Sequence, residues 1–132
     1  MKYQQNWDLD SLLPHPTNPE FPELVKSYKH GLESLADRSD RLPTVTGNRS
    51  HAADWGAFLE ECERLEMLAV DLGAFIACHA AADAANKLFR QFEASLSALD
   101  PLRERIMTNI EFALRDANEA DFQSFIQGDR RL

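Results

Sequence analysis

Residues 53–81 read ADWGAFLEECERLEMLAVDLGAFIACHAA, and the spacing of their apolar side chains decides the fold class. Trp55, Phe58, Leu59, Cys62, Leu65, Leu68, Leu72, Phe75, Ile76 and His79 recur every three or four residues, the period of one helix face. That pattern predicts a helix from about Ala53 to Ala81 with a continuous core-facing stripe. Glu60 and Arg64 stand at i, i+4 with the acid first, the favourable order for an ion pair on the other side. From Leu72 to Ala82 nearly every residue is small or apolar. Small residues let a neighbouring helix approach closely, so this end is expected to be enclosed on several sides.

The next segment carries the same signature. Asp83 is the expected cap of a third helix, with the stripe Leu88, Phe92, Leu96, Leu99, Leu102, Ile106, Ile110, Ala113, Ala117. Pro101 interrupts it, and an interior proline often ends a helix. Asp100-Pro101 also suits a fresh cap and first position. The stripe keeps its phase across Pro101, which predicts one kinked helix over about 84–117. Two rods of this length, each ~45 Å long at 1.5 Å per residue, would fold back on each other around a short turn near Ala82.

Upstream, Phe21, Leu24, Val25, Tyr28, Leu32 and Leu35 mark a first helix starting near Pro19 or Pro22 and fading over Ala36–Arg41. Leu42–Asn48 is a loop broken by Pro43 and Gly47. Asn48-Arg49-Ser50 matches a glycosylation sequon, a chance match where no signal peptide accompanies it. Downstream, Asn118 caps a short last helix faced by Phe122, Phe125 and Ile126, and Gly128 stops it. No strand pattern or repeat occurs. The expectation is an all-α fold: a long antiparallel helical hairpin within a three- to four-helix bundle, with no sheet. It forms a single domain, with residues 1–18 as an N-terminal anchor segment and 19–132 as a helical lobe. A hairpin this slender has two flanks, and one further helix cannot cover both. Some apolar surface is therefore expected to stay exposed or to be covered by another polypeptide.

Composition excludes several functions. The 132 residues carry a net charge of −8, unsuited to neutralising nucleic-acid phosphates or docking on anionic lipid. No apolar run approaches the ~20 residues of a membrane span. The N-terminus lacks a secretory h-region, and two cysteines fit a reducing compartment, so a cytoplasmic location is expected.

Candidate chemistry is sparse. None of His15, His30, His51 and His79 falls in an HExxH pattern. His79, with Cys78 beside it and Asp83 four residues on, lacks the further ligands a metal needs and is expected to be a half-buried histidine at a helix end. Cys62 and Cys78 lie ~24 Å apart along one helix on nearly opposite faces. They cannot pair, and both are expected in the core. Glu60, Glu61, Glu63 and Glu66 form a solvated acidic face. No catalytic, cofactor-binding or metal residue is assigned.

The opening "WDLDSLLP" of residues 7–14 resembles the "WDLSDLYP"-like start of oligoendopeptidase F and its relatives, zinc metallopeptidases of the thimet-oligopeptidase type. The similarity continues through Arg41-Leu42, "LEMLAVDLGAFIACHAAAD", "ANKLFRQFEASLSALDPLRERIMTNIEFAL" and "EADFQSFI". It implies the N-terminal helical lobe of such an enzyme, part of the wall of a channel that admits short peptides, packed on the catalytic domain. The family's HExxH zinc site lies far downstream, so zinc and catalysis belong to the full-length protein and this chain alone is expected to be inactive. The alternative is a free-standing helical module that homodimerises through an exposed apolar face or binds a protein partner. In either case Trp7 with Leu12 or Leu13 is expected to peg the N-terminal turn onto the helices.

Overall fold

The structure, a computed structural model, describes residues 13–46 and 48–132. Five helices follow in order: α1 Glu20–Ser39, α2 Arg49–Ala82, α3 Lys87–Ser97, α4 Asp100–Arg115 and α5 Glu119–Gln127. The described residues form an all-α bundle without strands. Trp7 and Leu12 lie outside them. Leu13 is half-buried against the core, Pro16 is fully buried, and Asn18 accepts a hydrogen bond from the Glu20 N–H to start α1.

At 34 residues α2 is the spine, about 51 Å long at 1.5 Å per residue. It begins four residues before the expected Ala53 because the Asn48 side chain accepts the Ser50 N–H and caps it. α1 runs antiparallel along it: Phe21 meets Phe75, Gly31 faces Leu65, and the Arg38 guanidinium lies over the Phe58 ring. At Gly31 the helices pack closely: an added Cβ would stand 3.0 Å from Leu65 Cδ2.

The chain reverses after Ala82 into α3, which packs back along α2. Asp83 does not cap α3. It ends α2, and Asn86 is the cap, its side-chain oxygen accepting the N–H groups of Leu88 and Phe89. The expected single kinked helix over 84–117 is two helices. Ala98 and Leu99 form a turn between α3 and α4, and Pro101 occupies the first turn of α4, where its missing N–H deprives no carbonyl of a partner.

The split redirects the second half of the run. α4 packs on α1 rather than along α2. Arg105 pairs with Asp37 and Asp40, and Asn109 Nδ2 donates to Asp40 and to buried Ser39 Oγ, which itself donates to the Ala36 carbonyl. Hydrogen bonds from Arg105 and Asn109 hold the Asp40 carboxyl below its usual range. α5, capped by Asn118 as expected, seats Phe125 against Trp55. Beyond it, Arg131 pairs with Asp129 and Glu60 and donates to the Ala53 carbonyl. The Arg131 guanidinium and backbone N–H, both donating to Asp129, lower its carboxyl to about 2.

Candidate functional site

The polar residues weighed for chemistry do not converge. His15 and His79 stack edge-on at 4.8 Å, with Phe75 and Phe89 against the His79 ring. His51 hydrogen-bonds Thr46, and His30 is exposed. Among the described residues no group of three His, Cys, Asp or Glu side chains is placed to hold a metal ion. Three of the four glutamates of the acidic face take separate partners, and Glu63 forms no ion pair among the described residues. Arg64 pairs with Glu61, not with Glu60, and its hydrogen bonds lower the Glu61 carboxyl. Glu60 reaches Arg131 instead, and Glu66 reaches Arg103 on α4.

The cysteines also differ from expectation. Cys62 is half-buried, and burial pushes its thiol up to about 11. Cys78 is exposed, not in the core, because it lies on the side of α2 away from α1 and α3. A neutral-pH disulfide reagent should therefore react first with exposed Cys78 and more slowly with Cys62, which is half-buried and whose thiol burial keeps protonated. Two equally fast thiols would show that Cys62 is not sheltered.

Two surface features remain. The first is the outer face of α2. Its inner face carries Leu65, Leu72, Phe75 and Ile76, all buried. Opposite them, Met67 is 64% and Val70 61% exposed, followed by exposed Ala74, Ala77, Cys78 and Ala81. A Cβ added at Gly73 would meet nothing within 4 Å. The expected enclosure of this end is partial: α1, α3 and the His15 segment cover the side of Phe75 and His79, and no described residue covers the opposite one. An amphipathic surface helix carries charge opposite its core stripe, yet from Met67 to Ala82 only Asp71 does so. By length and composition alone α2 could cross a membrane, and only 28% of its most apolar window is buried. A helix apolar all round is normally surrounded.

The second is a groove between α1, α2 and α4, about 850 Å³ in volume. It exists because α4 follows α1 after the break at Ala98–Leu99, leaving α2 to approach α4 through the Arg103–Glu66 pair. Sequence reasoning missed it: Arg103 and Glu66 are 37 positions apart, and nothing local links them.

Fold and surface together define a helical bundle whose longest helix carries apolar surface that no described residue covers. Comparison with known protein families, with curated proteins and with solved structures finds no match to this chain.

Proposed function

We infer that this chain is the N-terminal helical lobe of an oligoendopeptidase F-like zinc metalloendopeptidase. It packs on the catalytic domain through the outer face of α2 and helps wall the channel that admits short peptides. Hydrolysis and the zinc ion belong to the HExxH-bearing part of the full-length protein, and this lobe alone cleaves nothing. The resemblance of "WDLDSLLP" and the helices after it supplies the family. The observation that carries docking is the apolar outer face from Met67 to Ala81, which no described element covers.

A second reading rests on spacing. Met67, Val70, Ala74, Ala77 and Ala81 follow steps of three and four, the seam of a helix–helix contact. An antiparallel copy related by a two-fold axis at Ala74 would set Met67 against Ala81 and Val70 beside Ala77 and Cys78, large against small, as a self-complementary interface requires.

Ala74→Glu tests both. In this chain alone Ala74 is exposed, so the substitution should change stability by no more than about 0.5 kcal/mol. In the chain extended through its downstream sequence it should cost about 2 kcal/mol, by burying an unpaired charge, and should reduce peptide cleavage. Indifference of the longer protein, or the lack of an HExxH sequence in it, would defeat the peptidase reading. Sedimentation of the 132-residue chain as a dimer that Ala74→Glu dissociates would favour the second.

A further inference from the structure

We propose that the groove between α1, α2 and α4 is a docking site for a cationic amphipathic helix of a partner protein. The inference is independent of the outer face of α2.

Shape and charge carry it together. The floor is apolar and well packed: Leu32 and Leu35 from α1, Leu65 from α2 and Ile106 from α4 are each 5% exposed or less. The groove holds about 850 Å³ and is open along residues of all three helices. Met107, 55% exposed, borders the groove on α4, and a flexible thioether adapts to varied apolar side chains.

The rim is acidic. Glu63 and Glu66 stand on α2, Asp100 and Glu104 on α4, against the single guanidinium of Arg103. Arg103 is already shared between Glu66 and Asp100. Glu63 and Glu104 have no ion pair among the described residues, so each wall presents one uncompensated carboxylate above an apolar floor. A complementary occupant presents leucine- or phenylalanine-sized side chains on one face and flanks them with lysine or arginine, the helix-in-groove mode. A second copy of this chain, at −8, is repelled by the same rim, and the first twelve residues offer one lysine against two aspartates. Charge complementarity therefore selects a basic partner from outside this chain.

The test uses the 132-residue protein and a blocked 18-residue leucine/lysine amphipathic peptide, with a leucine/glutamate peptide of the same pattern as comparison. Calorimetry should show saturable 1:1 binding of the lysine peptide that weakens as salt rises, since rim charges are screened within about 10 Å at 0.1 M. The glutamate peptide should not bind. Glu63→Gln with Glu104→Gln should weaken binding about tenfold, the combined effect of two exposed charge contacts. Met107→Arg, at an exposed position, should block the site while leaving the thermal midpoint near the parent value. Ala74→Gln on the outer face of α2 should leave affinity unchanged. Affinity within twofold of parent in the Glu63/Glu104 double variant, equal binding of the acidic peptide, or a loss confined to Ala74→Gln would overturn the proposal.

Discussion

Trp55→Ala is expected to lower the stability of this chain by about 3–5 kcal/mol, as do other truncations of large buried aromatic side chains. Trp55 is 0% exposed. Its ring meets Phe58 at 6.1 Å and Phe125 at 5.6 Å, both edge to face, so one side chain joins α2 to α5. The indole Nε1–H donates to the Pro43 carbonyl at 2.7 Å and ties down the loop after α1. Alanine removes the ring, leaves a cavity where three segments meet, and strips the Pro43 carbonyl of its donor. A domain of this size has only about 5–15 kcal/mol in hand, so the loss is a large part of the total. Urea unfolding measures it. Trp55→Phe separates the parts: it keeps most of the packing but loses the hydrogen bond, and should cost about 1–2 kcal/mol. A loss under 1 kcal/mol for Trp55→Ala would mean that the end of the bundle formed by α5 and the Pro43 loop does not fold as a unit with the rest.

The helices were legible wherever periodicity and capping agreed. The stripe from Trp55 to His79 lies on the buried side of α2, and Asn118 caps α5 with its own side chain. The break in the third helix was not legible, for a definite reason. Ala98 and Leu99 keep right-handed helical dihedrals, φ −65°, ψ −14° and φ −89°, ψ −7°. Two near-helical residues advance the stripe almost as a helix does, so phase continuity is blind to such a turn. What marks the break is Pro101, whose ring would clash with the Ser97 carbonyl in a continuous helix. Asp83 and Asn86 are equally good caps by type, and only the path of the turn chooses Asn86. The groove was invisible for a different reason. It depends on α4 following α1, where Ile106 is buried and Arg105 and Asn109 reach Asp40 across 65 and 69 positions. The exposed outer face of α2, by contrast, was written in its composition. Small residues at Ala74, Ala77 and Ala81 record that close approach is possible there, not that a neighbour is present.

The opposite end of the bundle hangs on Phe21, and Phe21→Ala should also cost about 3–5 kcal/mol. Phe21 is 0% exposed; its ring lies 4.8 Å from Phe92 at 81° and 5.7 Å from Phe75. It is the one ring of α1 in contact with rings of both α2 and α3 among the described residues. Without it the first turn of α1 loses its hold on the hairpin, and the Pro16 segment before it loses its support. Phe21→Leu, which fills most of the volume, should recover more than half of the loss. Combined with Trp55→Ala the variant tests how α2 couples the ends. Phe75 and Trp55 are 20 residues apart on α2, about 30 Å, too far for direct interaction, so the two losses should add to within about 0.5 kcal/mol. Additivity within a single transition would mean that α2 carries cooperativity along its whole length. Two separate transitions, one moved by each substitution, would mean that the ends unfold independently, and the long helix would then be a linker between two small clusters rather than the spine of one core.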